Sequence, residues 1–339
     1  MKKYNFLAIG DIVTDAFIRL EDPSAHIDID RGNREICMRF AEKIPYESVH
    51  IVPAVGNSAN AAVCASRLGL KSALVTNVGN DYFGKECLAT LKTEKVGTEF
   101  IKIHKDKKTN YHYVLWYDDD RTILIKHEDY SYALPKINAP EWIYLSSLGP
   151  NTLPFHKTLE GFFNQYPNIK LAFQPGTYQI KFSQELLGIY KRTKVVLCNK
   201  EEAERILGVE ENDVKKLLRG MRELGPEIIV ITDGVKGVYA FDGSPSTSSG
   251  QNSRDEFWFM PTYPDPKPPF ERTGAGDAFS ATFVAALCFG LDLEEALRWA
   301  PINAMSVVQY VGAREGLLCQ DKLKEYLGKA PTDYKPRLI

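Results

Sequence analysis

Apolar runs alternate with amphipathic stretches along most of the chain. Phe6–Ile9 and residues 72–78 read as strands, and residues 58–68 between them are small and apolar at helical spacing. Trp142–Leu145, Lys170–Phe173, residues 194–198 and Ile228–Thr232 are short apolar runs bounded by polar residues. Helical patterns fall among them at 154–165, 183–190, Lys200–Leu207 and 213–224. Strand and helix in alternation predict an α/β fold with a largely parallel central sheet. Such sheets bind ligands beyond the carboxyl ends of their strands.

Two regions break the rhythm. Residues 17–52 are polar and irregular. Residues 109–127 alternate through Tyr111, Tyr113, Leu115 and Tyr117, then Thr122 and Leu124, around three consecutive aspartates. That alternation predicts a two-stranded hairpin. Both regions are read as parts of a small β-rich lid, about 16–53 and 108–128, projecting from a domain that spans 1–330. A surface insertion without function is the alternative. Residues 243–254 (GSPSTSSGQNSR) interrupt a strand pair at 238–241 and 257–260. Their Ser/Gly/Pro/Thr composition predicts a disordered hairpin tip. The proline-rich segment 264–269 predicts a stiff, extended approach to the glycine-rich residues 272–279.

Composition narrows the class. The chain of 339 residues is 44% hydrophobic, ample for a large core, and its formal net charge is -2. That balance points to neither a nucleic-acid nor a membrane-surface partner. No apolar run approaches the roughly 20 residues that span a bilayer. The run at Phe6–Ile9 is far too short for a signal core. Six cysteines are scattered without a C-x-x-C pair, which predicts a reduced, cytoplasmic protein. The six histidines form no zinc pattern.

The stretch Arg272-Thr273-Gly274-Ala275-Gly276-Asp277-Ala278-Phe279 leads into a long apolar segment. Small residues there would leave bare backbone N–H groups at a helix start, where an anion is stabilised. Asp277 stands at the mouth of that nest. A phosphate cradle with a base at its edge is the equipment of phosphoryl transfer to a hydroxyl. The same residues would also serve as an ordinary helix cap. Asn199 to Glu202 comes directly after a strand and reads as a capping box. Its functional reading is that Glu202, through water, helps place Mg²⁺. Thr232, Gly234 and Gly237 end another strand, where glycines admit a ligand close to the backbone, or simply turn the chain. Near the start, Asp15 and Asn60 are suited to paired contacts with sugar hydroxyls.

In order and spacing these sets resemble the PfkB carbohydrate kinase family, the ribokinase-like sugar and nucleoside kinases. The resemblance runs from about Tyr4 to Gly316. The N-terminal signature resembles Gly56–Asn60, continuing through Ala61-Ala62, Arg67-Leu68-Gly69 and Val78 to Gly84. The C-terminal signature matches Thr273–Phe279, the N-x-x-E motif Asn199 and Glu202, and the nucleotide-side T-x-G-x-x-G Thr232, Gly234 and Gly237.

The resemblance implies a three-layer αβα sandwich of ribokinase-like fold with a β-rich lid. It implies ATP as donor, Mg²⁺, and a sugar, sugar derivative or nucleoside as acceptor. Asp277 would be the general base, with the amides of Gly274, Ala275 and Gly276 holding developing charge. Asp11, Asp15, Gly56, Asn57 and Asn60 would line the acceptor pocket. Asn199, Thr232, Gly234, Gly237, Thr273 and Asn303 would serve the nucleotide. Members often bind a monovalent cation such as K⁺, for which Asn303 and Val311-Gly312-Ala313 are the expected neighbourhood. The lid's free edge offers a route to a homodimer.

The chain departs from the family pattern at Val55, Glu271 and Arg272, and it has Phe173-Gln174-Pro175-Gly176 where many relatives carry Asp-x-Asn. Arg272 would bind an acceptor phosphate or face solvent. Two other functions compete. A nucleotide or sugar sensor on the same fold would need no base at Asp277. A Rossmann oxidoreductase would need G-x-G-x-x-G after the first strand, which Gly10-Asp11-Ile12-Val13 lacks.

Overall fold

The computed structural model describes the chain except residues 1–2, 22–24, 31–32, 119 and 245–255. Most of the expected insert at 243–254 therefore lies outside the described residues.

Among the described residues ten strands form the central sheet, with Ile101–His104 at one edge, parallel to Ser72–Gly79. Phe6–Ile9 lies between Trp142–Leu145 and Ser72–Gly79, parallel to both. Lys170–Phe173, Val195–Asn199 and Ile228–Thr232 continue the sheet in parallel on one side. Val238–Asp242 and Glu256–Met260 extend it antiparallel. The last strand, Arg337–Leu338, pairs with Glu256–Met260 beyond the expected domain end at 330.

The parallel strands read as unbroken apolar runs because both their faces are covered. Along the first strand, Phe6 and Ala8 enter one core, and Leu7 and Ile9 enter the other. The first core packs the sheet against the helices Asn57–Arg67, Ala275–Cys288 and Leu293–Val307. The second packs it against Leu153–Gln165, Leu187–Arg192, Lys200–Leu207 and Val214–Glu223. The result is three layers. Residues 183–190, expected as one helix, split into a 3₁₀ turn Ser183–Leu186 and the helix Leu187–Arg192.

A second sheet of four strands stands over the carboxyl ends of the first. Its order is Tyr46–Val55, Val13–Leu20, Tyr111–Tyr117, Asp120–Leu124. Its central pair is parallel and its outer pairs are antiparallel. A separate hairpin, Ala25–Asp30 with Asn33–Met38, accompanies it. Asp81 anchors the segment that enters this sheet: its carboxylate accepts from Gly84 N, Thr109 N and Thr109 Oγ1.

The inner face of the lid packs on the approach to the glycine-rich helix. Trp116 meets Phe270 edge to face at 5.1 Å, and the Arg19 guanidinium lies 4.6 Å from the Trp116 ring centre. Among the described residues, no helix is long and apolar enough to cross a membrane.

Candidate active site

The strand ends and the lid place the site. Asp11 comes just after Phe6–Ile9, Gln174 just after Lys170–Phe173, and Asn199 and Thr232 close their own strands. The helix Ala275–Cys288 opens at Gly274, whose φ of 84° is left-handed, and no side chain caps it. The N–H groups of its first turn therefore have no intrahelical or side-chain acceptor. They lie beside a cavity of about 290 Å³ lined by Thr232, Gly234, Arg272, Ala275 and Gly276.

Asp277 lies in that first turn, partly buried. Asn57 Nδ2 donates to its Oδ1 at 2.9 Å, Asn60 Nδ2 to its Oδ2 at 2.8 Å, and Gln174 Nε2 to its Oδ1 at 3.0 Å. Burial holds this carboxyl above the ordinary range, the amides of Asn60, Gln174 and Asn57 oppose that rise, and the neighbouring charge of Asp15 adds to it. Three neutral donors thus orient the carboxylate without neutralising it. That arrangement suits a group that must accept a proton.

Asp11 and Asp15 are buried at the lid end of the site. The Tyr132 hydroxyl donates to both Asp11 oxygens, at 2.8 and 2.9 Å. Gly56 takes a φ of 104°, and a Cβ there would stand 2.9 Å from Asp11 O. Gly56 therefore lets the helix carrying Asn57 and Asn60 start against the strand end that carries Asp11.

The residues expected to serve the nucleotide are only partly brought together. Thr232 and Gly234 line the cavity, and Gly237, at φ 107°, closes the turn through Asp233 N to Gly237 O. Asn199 and Glu202 form the capping box in full, with bonds of 2.7 and 2.9 Å. Burial raises the Glu202 carboxyl, against the Asn199 N–H that lowers it. Thr273 turns away: its N and Oγ1 both donate to the buried Glu271.

Asn303 lies apart from the cavity. It is fully buried, with Nδ2 on Thr282 Oγ1 and Oδ1 accepting from Leu318 N. It sits on the core face of its helix and contacts neither the cavity nor an open donor set. Glu271 fills the space near Val311–Ala313, accepting from Gly312 N at 3.3 Å. The acidic side chain beside the expected cation position is therefore already engaged by Thr273 and Gly312. Arg272 lines the nucleotide-side cavity, not the acceptor end.

Gln174, in sequence only a departure from the family pattern, is a partner of Asp277. Tyr132, His112 and His127 join the site without having been expected there. Of these, His112 had a signal: the tyrosine alternation places the intervening residues on the opposite face of their strand.

The Asp277 carboxylate stands on an uncapped glycine-rich helix turn, at the strand ends of a doubly covered sheet under a lid, and the class is that of phosphotransferases with an alcohol acceptor. The pfkB family carbohydrate kinase pattern matches residues 27–318, and the chain belongs to that family of sugar and nucleoside kinases. It is 28% identical over 297 residues to a ribokinase of Bacillus subtilis, covering 85% of this chain and 92% of the relative. It is 29% identical over 270 residues to a cytidine kinase of Thermococcus kodakarensis, covering 76% and 88%. In fold it matches the nucleoside kinase of Methanocaldococcus jannaschii with a TM-score of 0.73 at 20% identity, covering 97% and 100%. A ribokinase-fold neighbour from E. coli, TM-score 0.71 at 17% identity and covering 97% and 100%, was solved with ATP and Mg²⁺.

Proposed function

We propose that this chain transfers the γ-phosphoryl group of ATP to a hydroxyl of a sugar, sugar derivative or nucleoside. The observation that carries the reading is Asp277: a carboxylate held by three amides on the first turn of an uncapped helix. The acceptor hydroxyl oxygen attacks the γ-phosphorus, the bond to the bridging oxygen breaks, and the hydroxyl proton passes to Asp277. ADP leaves with the bridging oxygen. The amides of Gly274, Ala275 and Gly276 hold the charge that develops on the phosphoryl oxygens.

Asp11, Asp15, Gly56, Asn57 and Asn60 line the acceptor side. The cavity beside Thr232 and Gly234 takes the nucleotide, with Gly237 shaping its wall. Asn199 supports the adjoining strand end. Glu202 supports a water-mediated role near Mg²⁺, since its partly buried carboxylate stands within electrostatic reach of Asp277. Mg²⁺ supplies charge neutralisation for the nucleotide phosphates. The lid covers the reacting groups and limits ATP hydrolysis by water. We place the protein in the cytoplasm, and its partner is a second copy meeting it through the lid.

The test is ADP release from MgATP against sugars, sugar derivatives and nucleosides, with Asp277→Asn alongside. Acceptor-dependent release that the variant loses supports the kinase. Nucleotide binding without release for any acceptor returns the reading to a sensor on the same fold.

A further inference from the structure

The acceptor end holds polar groups that the proposed chemistry leaves unused. His112 lies on the lid strand Tyr111–Tyr117, opposite Asp15 in the parallel register. Its Nδ1 stands 3.5 Å from Asp15 Oδ1. His127 lies just beyond the strand Asp120–Leu124, and its Nδ1 stands 3.4 Å from Asp11 Oδ2. The two imidazoles meet edge to face with centres 5.5 Å apart, and His127 meets the Tyr178 ring in the same way at 5.6 Å. Each histidine therefore backs one of the two carboxylates at this end, and the two join into one wall.

Two buried polar atoms of this cluster, Asn60 Oδ1 and His112 Nε2, have no polar partner, and Asp15 Oδ1 and His127 Nδ1 make only the 3.5 and 3.4 Å contacts to His112 Nδ1 and Asp11 Oδ2, without hydrogen-bond geometry. Buried polar atoms are almost always paired, so their gathering in one place marks where a ligand's groups belong. Carboxylate and amide oxygens accept, and an imidazole nitrogen accepts or donates according to its tautomer. Hydroxyl groups match that set, since each both donates and accepts.

Charge narrows the ligand further. Asp11, Asp15 and Asp277 bring three carboxylates together, and Asp15 already destabilises the ionised form of Asp277. Among the described residues, the ion-pair partners of Asp11 and Asp15 are these histidines and not lysine or arginine. Arg272 and Asp265 line the nucleotide-side cavity instead. The Arg121 guanidinium of the same lid sheet is held by Asp120 at 3.1 Å and faces the buried Glu271 at 4.0 Å. A phosphate set against Asp11 and Asp15 would therefore meet like charge in a poorly solvated pocket, a contact that works as rejection.

We infer that His112 and His127 are specificity-determining residues of the acceptor pocket, and that it takes an uncharged polyhydroxylated acceptor in preference to its phosphorylated form. The inference rests on the kinase reading of Asp277.

The experiment compares matched pairs on the full-length chain with MgATP: ribose and ribose 5-phosphate, fructose and fructose 6-phosphate, cytidine and cytidine monophosphate. His112→Leu and His127→Leu run beside His112→Gln and His127→Gln. The expected result is kcat/KM at least about tenfold higher for the uncharged member of an accepted pair. Each leucine variant raises the acceptor KM by about tenfold with the MgATP KM unchanged, and glutamine restores part of the loss. An unchanged MgATP KM also reports a folded protein. Preference for a phosphorylated member, or an acceptor KM untouched in both leucine variants, overturns the inference and leaves the kinase standing. No turnover with any acceptor overturns both.

Discussion

Gln174 donates from Nε2 to Asp277 Oδ1 at 3.0 Å while its Oε1 accepts from the Tyr144 hydroxyl at 2.5 Å. The first bond fixes the second. The ionised Asp277 can only accept, so the amide nitrogen of Gln174 must face it and the amide oxygen then faces Tyr144. Tyr144 is fully buried, and burial keeps its hydroxyl protonated far above the usual tyrosine range, so it has a proton to donate there. Tyr144 on one strand thus orients Gln174, just past the next strand, as one of the three amides that lower the proton affinity of Asp277 against the effect of burial.

That pair shapes the pH profile. Asp277 must be ionised to take a proton, and burial has raised its pKa, so activity falls as pH drops through the raised value. Gln174 opposes the rise by stabilising the ionised form. Gln174→Leu should raise the pKa further and move the acid limb of kcat/KM to higher pH. An unmoved limb would assign that titration to another group.

Asp277→Asn should cut turnover by about a hundredfold or more, the scale of a lost general base. The variant has a way to keep its geometry. Asn57 and Gln174 would still donate to the remaining oxygen, and Asn60 could turn its unpartnered Oδ1 toward the new amide. Nucleotide affinity by calorimetry should therefore stay close to wild type. Near-normal turnover would remove Asp277 from its role.

The parallel sheet was legible because strands covered on both faces carry continuous apolar runs, as Val195–Asn199 and Ile228–Thr232 do. The strands Val13–Leu20 and Tyr46–Val55 were not individually legible. The second is mostly exposed and carries no clean alternation. Arg337–Leu338 is too short to show any period. Within the site, Asp277, Asn57 and Asn60 could be read because glycines and small residues mark their helix starts. Gln174 and His127 could not: each reaches the site from a loop, and only the folded chain brings it there. Asn303 shows the converse: its motif neighbourhood is readable in sequence, but only the fold shows that its side chain sits on the core face of its helix, bonded to Thr282 and Leu318.

The two glycines of the nest should respond differently to alanine. A Cβ on Gly274 would stand 2.3 Å from Ala313 Cβ, on a residue with φ of 84°. Gly274→Ala should cost at least about 1–3 kcal/mol by backbone strain, with close contact adding to it. Gly276 has open space around its Cβ position and ordinary helical backbone. Gly276→Ala should hold or gain stability, by up to about 1 kcal/mol, while slowing turnover because the new methyl projects where the phosphoryl oxygens belong. Denaturant melts run beside steady-state kinetics separate the two. Equal stability losses would show that both glycines serve packing alone.

The outer face of the lid carries the last prediction. Ile18 pairs with Val49 and Leu115, and Tyr113 pairs with Leu124, so these side chains share one face of the sheet. Ile51 joins them through its pairing with Ala16. Val49 and Ile51 are 45% and 55% exposed, and Tyr113 and Leu124 are also open. A contiguous apolar face of this kind marks an interaction surface, and a second copy of the same sheet would cover it by two-fold symmetry. Val49→Asp with Ile51→Asp should convert a dimer to a monomer in light scattering. Exposed positions leave the core untouched, so the variant should melt within a few degrees of a wild-type monomer. If wild type is itself monomeric at micromolar concentration, the lid does not join two copies.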